Sequence, residues 1–176
     1  MADEKQTEAL EIKHWRDGRV LFSCQVEIGL SLGQKRGVAV KLAFAAGASL
    51  DGASLDGARL DGARLVGASL VGARLDGARL VGASLVGARL DGASLVGARL
   101  VGARLDGAEG ILDCGTPHGY RVAIVRHDDG IRLLAGCRWF TMDAAATHWS
   151  ARKDRTLMMP LLEYIKAAVA IKGWKL

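Results

Sequence analysis

The chain has 176 residues, half of them hydrophobic, with 24 basic against 19 acidic side chains and a formal net charge of +5. The charge is spread evenly, with seven basic and six acidic residues before Gly47, seven and six from Gly47 to Asp106, and ten and seven after it. No segment has the basic density of a nucleic-acid grip, and no apolar run approaches the roughly 18 residues of a membrane span. The opening MADEKQTEAL lacks a basic-then-apolar leader, so the expectation is a soluble, unsecreted protein. Cys24, Cys114 and Cys137 have no metal-type spacing, which predicts reduced thiols in a cytoplasm.

Taken in order, residues 1–8 are polar and read as disordered. LEIKHW, the turn RDGR and VLFSCQVEI then read as a β-hairpin, with Asp17-Gly18 as the turn signal between alternating runs. Ser31 is placed to cap a helix that begins near Leu32. Val38, Leu42 and Ala45 are spaced as its apolar face, with Lys35, Arg36 and Lys41 on the surface. Gly47 suits the left-handed residue that ends it, and Phe44 should press on whatever follows.

From Gly47 to Asp106 one five-residue unit, Gly-Ala-(Ser or Arg)-Leu-(Asp or Val), repeats twelve times without a gap. A period of five fits neither the 3.6 of a helix nor the 2.0 of a strand. Twelve glycines in phase would cost a helix interior about 1 kcal/mol each. What fits is a solenoid in which each unit makes a short side and a turn, with Leu and Ala inward and the third and fifth positions outward. Both open ends need covers.

The unit resembles the pentapeptide-repeat family, whose motif is Ala-(Asp/Asn)-Leu-X-X. Ala48, Ala53 and their successors match its first position, and Leu50, Leu55 and theirs its central one. The residue between them is Ser or Arg here, where the family favours Asp or Asn. The resemblance implies an all-β core, a right-handed quadrilateral β-helix of about three coils or slightly more, with α+β caps of hairpin plus helix at both ends. A four-sided coil of twenty residues would stack the leucines in four core columns. The first holds Leu50, Leu70 and Leu90, and the second Leu55, Leu75 and Leu95. The third holds Leu60, Leu80 and Leu100, and the fourth Leu65, Leu85 and Leu105. Three parts follow: an N-terminal hairpin and capping helix over 1–46, the β-helix over 47–110, and a C-terminal hairpin plus helical cap over 111–176.

After Asp106 the pattern decays through GAEGILDCGTPHG. YRVAIVRHDDGIRLLAG reads as a second hairpin with Asp128-Asp129-Gly130 at its turn. Thr141 is placed to cap a short helix ending near Trp149, with Asp143 in its first turn. ARKDRT is a charged linker. Pro160 opens a last helix with Leu161, Leu162, Ile165, Ala168 and Val169 on one side and Gly173 as its stop. The final coil is the simplest cover for that helix; a homodimer through it, or through a solenoid end, is the alternative. The IKHW…VLFSCQVE, AGCRWFT and EYI…GW runs resemble flanks of bacterial and phage members of the family. The near-identity of the units is what amplification of a short DNA unit, or consensus design, would leave.

All aromatic, His and Cys residues lie outside the repeats, so any site built from them belongs to the caps. His14, His118, His127 and His148 pair with no Cys, Ser or carboxylate at triad or zinc spacing; the Asp128-Asp129 beside His127 is what a hairpin turn requires anyway. No phosphate loop is present. The expectation is no enzyme, with no catalytic, cofactor or metal site. On the implied coil, Arg59, Arg79 and Arg99 stack on one side, where like charges about 5 Å apart repel by roughly 1–3 kcal/mol unless acids such as Asp61 relieve them. Val81 and Val101 share that side and Val66 and Val86 the next, as a candidate contact ridge. The leading reading is a rigid scaffold presenting a protein-binding surface to an unknown partner. The resemblance also raises a DNA mimic acting on type II topoisomerases such as gyrase, which a rod this short of acid disfavours. A weak polyanion or nucleic-acid binder through the Arg column is the third.

Overall fold

The structure is a computed structural model that describes residues 6–117, 119–151 and 158–174. His118, linker residues 152–156 and the first five residues of the expected disordered stretch lie outside the described residues. β1 (Thr7–Lys13) and β2 (Val20–Glu27) form the expected antiparallel hairpin, with a bulge between Ile12 and Lys13. The turn at Asp17-Gly18 is as read, and Gly18 has φ 72°. Order begins earlier than the sequence suggested. Thr7 and Glu8 already pair with Glu27 and Val26, and the Glu8 carboxylate meets the Lys35 ammonium.

α1 (Leu32–Ala45) starts on a capping box, in which Gln34 N–H donates to Ser31 Oγ and Ser31 N–H to Gln34 Oε1. Beyond it Ala48 N–H reaches back to Ala43 O, 2.9 Å, around Gly47 at φ 69°. The face it buries is not the expected one. Gly37, Ala39, Val40 and Ala43 are buried, whereas Val38 and Leu42 are 37% and 42% exposed and Ala45 is open. Lys35 and Arg36 are half-buried rather than free; Arg36 donates to Asp56 O. The reason is close approach. A Cβ on Gly33 would stand 2.5 Å from Gly57 O, and one on Gly37 2.0 Å from Arg59 O. The helix therefore docks by its smallest residues. Phe44 does pack on the repeat core.

Between Gly47 and Asp106 the repeats stack with a period of twenty residues. Parallel bridges join Ser54 to Arg74, Arg59 to Arg79, Arg64 to Ser84, Ser69 to Arg89, and onward to Arg89 with Glu109. Each leucine amide up to Leu90 donates one coil on, as Leu60 to Arg79 O (2.7 Å) and Leu80 to Arg99 O (2.8 Å). Third-position amides from Arg74 onward donate one coil back, as Arg79 to Ala58 O (2.9 Å). The repeat leucines form the core. Leu50, Leu70 and Leu90 are buried, as are Leu55, Leu75 and Leu95. So are Leu60, Leu80 and Leu100, and Leu65, Leu85 and Leu105. Only the last of them, Leu105, rises to 8% exposed. The unit glycines have φ between 64° and 70°, a region other residues occupy only with strain. Each bridge joins residues twenty positions, or four five-residue units, apart.

The N-terminal elements take up the first coil's free groups. Ser54 N–H donates to Lys13 O, Trp15 N–H to Gly52 O, and Arg59 N–H to Gly33 O, all at 2.8 Å. At the other end β3 (Ile111–Asp113), β4 (Val122–His127), β5 (Gly130–Ala135) and β6 (Arg138–Phe140) form one antiparallel sheet in that order. The β4–β5 hairpin was legible; the three-residue β3 and β6 were not. Ala123, Val125 and Leu134 join the repeat core, and Val122, Ile124 and Leu133 face away from it. α2 (Met142–Ser150), capped by Thr141 as expected, and α3 (Met158–Ile171) cover that outer face. The expectation that the last helix packs on the final coil is thus corrected. Leu162, Ile165 and Val169 are buried as read, but the sheet lies between them and the coil, because β4 and β5 are apolar on both faces. No described helix is long and apolar enough to cross a membrane.

Gly37→Ala tests the docking of α1. On an exposed helix the change stabilises by about 1 kcal/mol. Here urea unfolding should show a loss of about 1–3 kcal/mol, as for overpacking. A gain would contradict the close contact with Arg59.

Candidate functional site

The outward positions divide the rod into two unlike halves. On one half, acids and bases satisfy each other. Asp51 Oδ1 accepts from Ser69 Oγ (2.7 Å) and from Val71 N–H (2.9 Å), one coil on. Asp76 repeats this with Ser94 and with Val96 N–H. Arg74 lies 3.4 Å from Asp56 and 3.5 Å from Asp76, Arg89 3.3 Å from Glu109, and Arg126 2.8 Å from Asp91.

The other half carries the predicted surface. Arg59, Arg79 and Arg99 are bridged backbone to backbone in one exposed column. Arg79 Nε is 3.1 Å from Asp61 Oδ2, the relief the sequence suggested. Among the described residues no ion pair holds Arg59, Arg99 or the neighbouring Arg64. Val66 and Val101 are 53% and 63% exposed, while Val81 and Val86 are half-buried between them. The ridge is therefore two open ends joined by a shallower middle, flanked by uncompensated guanidinium groups. The column leucines give this surface no contact atoms; Leu70, Leu90, Leu95 and Leu100 are all at most 2% exposed.

On the compensated half the two caps touch. The Trp15 indole N–H donates to Gly72 O at 2.8 Å, and Arg16 Nη2 lies 3.0 Å from Asp128 Oδ2. Gly92 N–H donates to Arg126 O at 2.8 Å. The glycine column makes room: a Cβ on Gly52 would stand 2.1 Å from His14 Nε2, and one on Gly92 2.7 Å from Asp128 Oδ1. Both hairpin tips lie on this column. The trough they frame, about 230 Å³, is lined by His14, Trp15, Arg16, Asp51, Val71 and Asp128 among others. Trp15, Arg16 and Asp128 were missed from the sequence, since nothing local marks a pair 112 residues apart.

His14 and His127 are held by structural contacts. His14 bridges to Ala53 and lies 3.1 Å from Asp17 Oδ1. His127 meets the Asp129 carboxylate, which also pairs with Arg132, and sets its ring edge-on to Trp139 at 6.0 Å. Partial burial would raise the Asp129 pKa, but His127 and Arg132 outweigh it and hold that carboxyl below its usual range. Burial, with the Asp113 charge beside it, pushes the Cys114 thiol up to about 12, and burial also raises Cys24. Among the described residues no three His, Cys, Asp or Glu side chains gather as a metal group would require.

Pentapeptide repeats are matched in eight copies over residues 46–82 and 73–109, so the segment from residue 46 to 109 is one of pentapeptide repeats. Among solved structures it is similar to HetL, a pentapeptide-repeat protein involved in heterocyst differentiation regulation from Nostoc sp. strain PCC 7120, at 39% identity and a TM-score of 0.31. That similarity covers 36% of this chain and 35% of HetL, so the chain spans about a third of its length. No curated protein matches the chain.

Trp15→Phe keeps the ring but removes the N–H to Gly72 O, and should cost about 0.5–1.5 kcal/mol in urea unfolding. Arg16→Ala, an exposed pair, should cost under about 1 kcal/mol; the reverse ranking would contradict this geometry. Near pH 8.5, about the ordinary thiol range, iodoacetamide should alkylate exposed Cys137 and leave Cys114 intact by mass spectrometry. Labelling of Cys114 at an equal rate would contradict its burial.

Proposed function

We propose that the chain is a non-enzymatic scaffold that presents its Arg–Val half to an acidic protein surface. In this reading residues 47–110 wind as a right-handed quadrilateral β-helix, held between the cap of 1–46 and that of 111–176. The observation that carries it is the asymmetry of compensation. Arg74 and Arg89 are both paired within the rod, whereas of the five arginines on the other half Arg79 and Arg104 are paired and Arg59, Arg64 and Arg99 have no acidic partner among the described residues. Such a surface attracts an acidic one over distance and fixes its register. The exposed Val66 and Val101 beside the Arg column add apolar contact that a polyanion alone would not use. This favours a protein over nucleic acid. Free Cys24, Cys114 and Cys137 fit a cytoplasmic location.

Poly-L-glutamate is a direct probe. Exposed charge pairs are worth about 0.2–1 kcal/mol each, so the Arg59→Ala/Arg79→Ala/Arg99→Ala variant should bind it about tenfold more weakly than wild type. The Arg74→Ala/Arg89→Ala variant should match wild type in the same titration. Equal loss in both variants would assign the binding to net charge and overturn the reading. DNA mimicry would need an acidic rod, and the repeats carry seven Arg against six Asp. A gyrase supercoiling assay should therefore show no inhibition; inhibition at sub-stoichiometric protein would replace the proposal with the topoisomerase reading.

A further inference from the structure

The C-terminal cap encloses a second feature in which the rod takes no part. β6 supplies Arg138 and Phe140, the Gly136–Cys137 turn before it supplies a thiol, α2 supplies His148 and Trp149, and Tyr120 closes the side. The cavity among them measures about 250 Å³, just below the roughly 300–1,000 Å³ of common ligand sites. It has room for a one-ring molecule.

Its chemistry is specific. The rings form a connected wall, with Phe140 and His148 5.0 Å apart at 34° and Phe140 and Trp149 5.7 Å apart at 53°. Trp149 is buried, so its wall is fixed by the packing of α2 on the sheet. Arg138 Nη1 lies 3.5 Å from His148 Nε2, which puts the guanidinium beside that wall. Among the described residues no carboxylate lines the cavity, and Arg138 has no acidic partner among them. Aromatic cages often hold cations, but among the described lining residues the one full charge, Arg138, is positive, and a cationic guest would meet its repulsion. A neutral apolar guest would gain nothing from Arg138. An anionic head satisfies the guanidinium with charge-assisted hydrogen bonds while a flat body stacks on the wall.

We propose that this cavity binds a small aromatic anion, a single ring bearing a carboxylate or phosphate. The ring lies against Phe140 and Trp149, and the acid group meets Arg138 and His148. Cys137, exposed at the mouth, reports occupancy and takes no chemical part. The proposal is independent of the rod's Arg–Val surface, since none of its residues lies in the repeats.

The test uses the full chain with benzoate and phenyl phosphate as probes and benzyl alcohol as the neutral control. Two signals are read: the Trp149 indole N–H resonance, and the rate of Cys137 alkylation by iodoacetamide. Saturable shifts of the resonance and a several-fold slowing of alkylation are expected with either anion and not with benzyl alcohol. Arg138→Gln, at an exposed position that leaves the aromatic wall in place, should weaken benzoate by at least about tenfold, the loss expected for a charged hydrogen bond. Benzyl alcohol binding as well as benzoate, with Arg138→Gln unchanged, would overturn the anion assignment. No saturable response to any probe up to tens of millimolar, about the limit of useful affinity, would overturn the site.

Discussion

One backbone constraint organises this molecule: the leucine, glycine and third-position amides of each coil donate to carbonyls about twenty positions away. Leu60 donates to Arg79 O and Arg79 donates to Ala58 O, so neighbouring coils are held in both directions at every side. With that register set, the side chains have no choice. Ala and Leu must point into a core where all twelve leucines are buried, and the third and fifth positions must point to solvent in straight columns. The caps obey the same rule. Lys13 O and Gly33 O accept the first coil's spare amides, and Arg126 O accepts one of the last. Burying unpaired backbone groups is costly, and here the terminal modules meet part of that need while their side chains cover the leucines.

Most of this was legible where the signal was local or periodic. The five-residue unit, its leucine columns, Ser31 and Thr141 as caps, Gly47 as a helix stop, and both hairpin turns all follow from a few adjacent residues or one repeat. The face of α1 was not legible, because apolar size pointed to Val38 and Leu42 while docking was decided by Gly33 and Gly37, where the absence of a Cβ matters more. β3 and β6 are three residues each, too short for alternation to register. The last helix was assigned the right buried side and the wrong partner, since VAIV and LLA read as strands without saying that both their faces are covered. The Trp15–Gly72 and Arg16–Asp128 contacts join segments with no sequence relation. The Asp ladder could have been found: Ser69 and Ser94 each follow an aspartate by eighteen residues, one coil less two positions.

The repeats and the caps divide the chemistry between them. Within the rod only Ser, Arg, Asp and Val vary, so its surface can differ only in charge and apolar area, and it does so by half: Arg74 and Arg89 are paired on the side the hairpin tips cross, whereas on the side they leave open Arg79 and Arg104 are paired and Arg59, Arg64 and Arg99 have no acidic partner among the described residues. All rings, imidazoles and thiols sit in the caps, where His14, Trp15, Phe22, Phe44 and Trp139 hold cap elements to the coils. The ring cluster of β6 and α2 instead lines a cavity away from the coils. The candidate Arg column was visible once the coil length was known, but its exposure depended on where α1 and the hairpin tips would land. A sequence does not state that.

Residue-resolved amide hydrogen exchange tests the twenty-residue register most directly. The amides of Leu75, Leu80 and Leu85 each donate to the next coil and should be among the slowest in the chain. At the fifth position, Val71 and Val96 donate to an aspartate one coil back, whereas the amides of Val81, Val86 and Val101 have no partner among the described residues. The account predicts slow exchange for the first two valines and fast exchange for the other three. Equal rates across all five valines, or leucine amides as fast as Val81, would contradict it.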